Sequence, residues 1–331
     1  MSLSYSSYGR IRAFFLLLVL VILTTATLSG CQVNDPPDSK IDSDIEIVSK
    51  ELIEVPGQNP NIDIYKLFYK SDDIKVLAYL TVPKAPGKYP LVVHLHGGYA
   101  LERKELSHNN DFGFTFGFKY MSDEVVYLYP LYRGYLESDG HVQGIAENTR
   151  DADNAIKVAI STGRVKPDSV YLLGASMGGG VALRLASERQ DVKAVVGLSP
   201  FVGWDVNLRW LDEHPDVTSP EIVEENRKLA EYVRFGLINV NPESKGDYSI
   251  LDRIPDIQAP VLLLQGTADE SLIWQTVQDF ADDMEEAGKT VKLVLYPDGN
   301  HGLDDMYEDQ RNQEVMQWLH TYGLPKSFVL Q

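Results

Sequence analysis

The chain has 331 residues, 44% of them hydrophobic, enough for one large core. Its 30 lysines and arginines stand against 48 acids, a net charge of -18, which speaks against nucleic acid or an anionic membrane surface as a binding partner. Cys31 is the single cysteine, so no intrachain disulfide can form.

The first thirty residues do not read as part of the fold. Arg10 and Arg12 form a positive n-region, and Ala13 to Leu23 is a continuous apolar stretch too short for a comfortable membrane span. Leu28-Ser29-Gly30-Cys31 follows. This resembles the lipobox of bacterial lipoproteins. The resemblance implies that 1–30 is a signal peptide and that Cys31 carries the lipid. The protein would then be held in the bacterial cell envelope, at the outer membrane or the outer face of the inner membrane. Gln32, where the enterobacterial sorting rule would look for Asp, favours the outer membrane. Residues 31–45 are then the lipidated cysteine and a polar, proline-containing tether (VNDPPDSK), and 46–331 form the folded domain.

In chain order, Ile41 to Val55 reads as an edge strand. Ile62 to Tyr69, the polar turn Ser71-Asp72-Asp73, and Ile74 to Val82 read as a β-hairpin. Leu91 to Leu95 is a short apolar strand running into His96-Gly97-Gly98-Tyr99. Asp111 to Met121 reads as a helix, with a strand as the rival because its phenylalanines recur at every second position. Glu124 to Pro130 is a strand, followed by Tyr132-Arg133-Gly134-Tyr135. A helix over Ile145 to Ser161 precedes the strand Val170 to Leu173. Further buried strands are Val192 to Leu198, Val261 to Gln265 and Val291 to Tyr296, with helices over Leu272 to Ala287 and Asp304 to His320. This alternation predicts an α/β fold: a mostly parallel, doubly wound sheet with an antiparallel start and helices on both faces. Residues 200–259 break the rhythm and read as an inserted cap. Phe201, Trp204 and Trp210 within it, and Tyr99 after the strand Leu91 to Leu95, are candidate substrate-pocket residues, the cap's own small core being the other role for the tryptophans and Phe201.

The chemistry gathers around Gly174-Ala175-Ser176-Met177-Gly178. A strand before this G-x-S-x-G and a helix after it place the serine on a strained turn, its hydroxyl projecting above the sheet. A serine hydroxyl is a weak nucleophile and needs a base, and the base needs an orienting acid. Asp269, after the strand Val261 to Gln265, is the first choice of acid, with Glu270 its rival. His301, in Gly299-Asn300-His301-Gly302 after the last strand, is the base. The oxyanion of a tetrahedral intermediate would meet the backbone N–H of Met177 and that of Gly98, or else of Tyr99. His96 would fix that loop by hydrogen bonding. His94 and His96 form an H-x-H pair, but no clustered Cys, Asp or Glu completes a metal site, so neither metal nor other cofactor is expected.

The order of these motifs resembles the α/β-hydrolase superfamily, and more narrowly the prolyl oligopeptidase catalytic domain and the dienelactone-hydrolase-like esterases. The residues that carry it are His96-Gly97-Gly98, Tyr132 to Tyr135, Asp151, Gly174 to Gly179, Ile254 to Leu263, Gly266 to Asp269 and Asn300-His301-Gly302. It covers about 60–322. It implies a serine hydrolase working through an acyl-enzyme. Three departures favour small or medium acyl esters over short peptides as substrates, one being that no acidic pair can be assigned to binding a substrate's free amine. Too few residues precede the first hairpin for the β-propeller of full prolyl oligopeptidases. His96 stands where those peptidases place a tyrosine whose hydroxyl donates to the oxyanion. A peptidase is the first alternative, and a non-catalytic binding protein on the same scaffold the second.

Overall fold

A computed structural model of the chain describes residues 45–55, 57–98, 122–216, 224 and 250–329. The lipobox with Cys31, Tyr99, the stretch Asp111 to Met121 and most of the cap lie outside the described residues. The strands are β1 (Ile47–Ile53), β2 (Ile62–Ser71), β3 (Ile74–Pro83), β4 (Tyr89–Leu95), β5 (Val126–Leu131), β6 (Val165–Ala175), β7 (Val192–Leu198), β8 (Val261–Gly266) and β9 (Val291–Tyr296). They form one 9-stranded sheet in the order β1-β2-β3-β5-β4-β6-β7-β8-β9. β1, β2, β3 and β5 pair antiparallel, and every pairing from β5–β4 to β8–β9 is parallel.

The antiparallel start follows from local turn chemistry. Ser71 pairs with Ile74, so the β2–β3 hairpin closes through Asp72 and Asp73 alone. Asp72 takes a positive φ of 53°, which aspartate tolerates better than most side chains. The parallel strands read as unbroken apolar runs because both faces are covered. Along β8, Val261 and Leu263 join one core layer and Leu262 and Leu264 the other.

The helices are α1 (Ile145–Ser161), α2 (Met177–Glu188), α3 (Trp204–Glu213), α4 (Trp274–Glu286) and α5 (Glu308–Thr321). Apolar residues of α1, α2 and α4 fill the first layer, and Val315, Met316 and Leu319 of α5 lie in the second. Helices therefore cover both faces. No helix among the described residues is long and apolar enough to cross a membrane.

Two boundaries differ from the sequence reading. β6 starts at Val165 rather than Val170, with a register shift against β4 between the two. The intervening Lys166, Pro167 and Asp168 are exposed and carry no apolar signal. The insertion is also shorter than 200–259. Ile250, Ile254, Ile257 and Ala259 are buried in the main core, and the 3-10 helix Leu251–Asp256 packs on α2. These residues belong to the body of the domain, because their apolar side chains complete the layer beneath α2.

Candidate active site

The turn between β6 and α2 is built around Ser176, whose φ of 53° and ψ of -123° are unfavourable for a residue with a side chain. Hydrogen bonds over-determine this geometry. The Ser176 N–H donates to the Leu198 carbonyl at 2.9 Å, and its own carbonyl accepts from the N–H groups of Gly179 and Phe201, each at 2.9 Å. Glycine is required on either side. A Cβ on Gly174 would run into the Gly178 carbonyl, and one on Gly178 into the Leu95 carbonyl. The strand, turn and helix thus close on one another with Ser176 half-buried at the C-terminal edge of the sheet. Met177, fully buried, is the first residue of α2, where backbone N–H groups have no partner within the helix.

Asp269 and His301 follow β8 and β9 on the same edge. The His301 Nδ1 lies 2.8 Å from Oδ2 and 3.0 Å from Oδ1 of Asp269. Asp269 is 2% exposed and saturated with donors. Its Oδ2 also accepts from Gln265 Nε2, and its Oδ1 accepts from the N–H groups of Ser271 and Leu272, all at 2.9 Å. Burial pushes the carboxyl up, but the hydrogen bond and charge of His301, with the Gln265 and Leu272 donors, hold it below the ordinary carboxylate value. Glu270 meets the histidine differently: its Oε2 accepts the backbone N–H of His301 at 3.2 Å. Asp269 holds the ring and Glu270 the loop. The two loops are tied by Ala268 N–H to the Gly299 carbonyl at 3.0 Å, and Arg311 of α5 donates to the Gly302 carbonyl at 2.8 Å.

The loop after β4 lies directly against the serine. A Cβ on Gly97 would sit 2.9 Å from the Ala175 carbonyl oxygen and 3.0 Å from the Ser176 Cβ. Gly98 follows with a φ of +93°. His96 supports the loop as expected: its Nδ1 is 3.0 Å from the Gly97 carbonyl, and its ring stacks on Tyr132 with centroids 4.3 Å apart. His94 is engaged separately, its Nδ1 lying 2.7 Å from the Tyr127 hydroxyl. Burial, with the charge of His96, lowers the His94 pKa to about 4. Among the described residues no group of three or more His, Cys, Asp or Glu is placed to hold a metal ion.

The pocket candidates fare unevenly. Phe201 is 2% exposed and its side chain belongs to the main core, which removes it from the pocket wall. Trp210 is buried and stacks on His214 with centroids 4.3 Å apart, a packing role within α3 and its C-terminal end. Trp204 opens α3, and its side chain lies outside the described residues. Tyr99 lies outside them as well.

Residues to which the sequence assigned no catalytic or binding role join the site through its supports. Gln265 is one, reaching Asp269 from the C-terminal end of β8. Arg133 and Asp151 are a second case, forming a buried bidentate ion pair with contacts of 2.9 and 2.6 Å. The Arg133 backbone N–H and the Ser71 hydroxyl also donate to Asp151, at 2.8 and 2.5 Å, which joins the loop after β5 to α1 and the end of β2.

A serine on a strand–helix elbow, with a buried carboxylate and a histidine on the ends of later strands of the same parallel sheet, defines a serine hydrolase of the α/β-hydrolase fold. Residues 119–323 match the prolyl oligopeptidase family (peptidase family S9), and the chain belongs to it. The uncharacterized peptidase YtmA of Bacillus subtilis is 24% identical over 277 residues, which is 82% of this chain and 98% of that protein. Acetyl xylan esterase 1 of Thermoanaerobacterium sp. superposes with a TM-score of 0.58 at 19% identity, over 83% of this chain and 88% of that one. A puromycin-hydrolyzing peptidase of Mycobacterium tuberculosis superposes with a TM-score of 0.56 at 21% identity, over 78% of this chain and 40% of that one.

Proposed function

We propose that the protein is a serine esterase acting on carboxylic esters with small or medium acyl groups, held in the bacterial envelope by a lipid on Cys31. Ser176 Oγ attacks the ester carbonyl while His301 Nε2 takes its proton. Asp269, bonded to the His301 Nδ1–H, keeps the ring in the tautomer that leaves Nε2 free to accept, and stabilises the imidazolium that forms. The N–H groups of Met177 and Gly98 receive the oxyanion, with Tyr99 N–H as the alternative to Gly98. His301 then protonates the departing alcohol, and water activated by the same base releases the acid from Ser176. The observation that carries this reading is the 2.8 Å contact between His301 and a buried, fully hydrogen-bonded Asp269, on the sheet edge that also holds the Ser176 elbow.

One feature supports an ester over a peptide. By the resemblance, His96 stands where related peptidases carry a tyrosine hydroxyl donor, and His96 is buried and stacked on Tyr132, which favours backbone groups as the oxyanion donors. The test is turnover of p-nitrophenyl acetate and butyrate against aminoacyl-naphthylamides. Ester turnover should dominate by orders of magnitude, and preferential amide turnover would overturn the assignment. That outcome is the second reading, a serine peptidase on short peptides. It is favoured by membership of the prolyl oligopeptidase family and by the nearly end-to-end match to the Bacillus relative. The anchor rests on the Leu28 to Cys31 motif, and processing that is insensitive to globomycin would remove it.

A further inference from the structure

We propose that Tyr135 is a positioning residue that braces both halves of the oxyanion hole. This rests on the reading of Met177 and Gly98 as oxyanion donors. Tyr135 is 2% exposed and lies in the turn that follows β5. Its hydroxyl donates to the Gly98 carbonyl and lies 3.9 Å from Met177 Sδ. One side chain therefore touches the two residues whose N–H groups would hold the oxyanion.

The need for such a brace follows from the loop. Gly98 sits at a φ of +93°, a region glycine enters freely and also leaves freely, so nothing intrinsic holds its N–H in one direction. Two carbonyls fix it from either side. His96 Nδ1 holds the Gly97 carbonyl, which belongs to the same rigid peptide as the Gly98 N–H. Tyr135 holds the next carbonyl, that of Gly98 itself. With both peptide planes pinned, neither torsion of Gly98 can relax. The two clamping rings also support each other, with centroids 4.8 Å apart in an edge-to-face arrangement.

The other half is held by packing. The single hydroxyl proton of Tyr135 is committed to Gly98, so its approach to Met177 is a contact and not a second donation. Asn148 of α1 supplies that donation, its Nδ2 lying 3.1 Å from Met177 Sδ. Met177 is thus fixed from α1 and from Tyr135 at the point where α2 begins. Preorganised donors stabilise an oxyanion because they need no rearrangement as charge develops, so a loosened brace raises the barrier and leaves ester binding alone.

The experiment compares wild type with Tyr135→Phe, which keeps the ring and removes the hydroxyl. Direct loss of an oxyanion donor costs about 10²–10³-fold in kcat. Loss of a brace acts through the donor, and a fall of about tenfold in kcat with KM changed less than twofold is expected. Affinity for an alkylboronic acid, which mimics the tetrahedral state, should fall by the same factor as kcat/KM. Genetically encoded 4-aminophenylalanine at position 135 restores an N–H donor and should recover most of kcat. Encoded 4-methylphenylalanine fills similar volume without one and should not. That pair also decides the matter if Tyr135→Phe does not fold. Unchanged kcat in the donor-free variants, or a loss carried by KM, overturns the brace. Fluorophosphonate labelling of wild-type Ser176 is run alongside. Labelling with unchanged kcat in the variants removes the brace alone, whereas absence of labelling removes the hydrolase reading and the brace with it.

Discussion

At the scale of single residues, two adjacent acids divide one task. Asp269 bonds the imidazole of His301, and Glu270 bonds the backbone of the same residue. Asp269→Asn leaves the volume intact but offers the ring an amide, which permits the wrong tautomer, so kcat should fall on the order of 10⁴-fold in steady-state assays. Glu270→Gln keeps an acceptor for the His301 N–H and should stay within a few-fold of wild type. A large loss in Glu270→Gln with a small one in Asp269→Asn would exchange their roles. The sequence offers one candidate nucleophile and one candidate base, because each stands in a glycine-flanked turn after an apolar run. It left the two acids open, since either side chain suits a helix start and only the three-dimensional path of the turn decides which faces His301. The supports were less legible still. Tyr135, Asn148 and Gln265 act on residues 37, 29 and 4 positions away, and only the last separation is short enough for a local pattern to suggest it.

At the scale of elements, the elbow stands on a frame that a buried ion pair holds together. Asp151 in α1 is completely buried and takes donors from Arg133 and Ser71, so it joins α1 to the loop that carries Tyr135 and to the end of β2. Asp151→Ala leaves the Arg133 guanidinium buried without this partner. The expected loss is about 3–5 kcal/mol by urea denaturation, with kcat falling because the Tyr135 loop is released. A loss below about 1 kcal/mol would show that the pair is dispensable to the frame. The strands of this frame were legible as unbroken apolar runs, and the β2–β3 turn as a polar interruption. The start of β6 was not, because Lys166 to Asp168 are exposed and pair through an irregular register. The far end of the insertion was misplaced for a related reason. A 3-10 helix of six residues gives no helical period to read, although Ile254 is buried in the main core.

At the scale of the whole molecule, stability should depend on pH through His94. Its folded pKa, about 4, lies below the ordinary 6.5. Above 6.5 both folded and unfolded chains carry it neutral, and it contributes nothing. Below that value the unfolded chain binds a proton that the folded chain refuses, so stability falls as pH drops from 6.5 toward 4. Between pH 7 and pH 5 the loss should be about 2 kcal/mol, read from urea midpoints, and the slope should flatten in His94→Gln. An equal slope in that variant would place the acid sensitivity elsewhere. Asp269 acts in a separate window. Its folded pKa is depressed, so its contribution is complete above the unfolded value of about 3.9 and is lost only as pH falls below it.

The whole molecule then reduces to one reacting atom, the Ser176 hydroxyl. The most direct measurement is fluorophosphonate labelling of the intact chain, with the modified residue mapped by tandem mass spectrometry. The expected result is a single phosphonylated residue, Ser176, with no labelling in Ser176→Ala. Labelling that persists in Ser176→Ala, or that maps to another residue, would contradict the assignment of the nucleophile and the mechanism built on it.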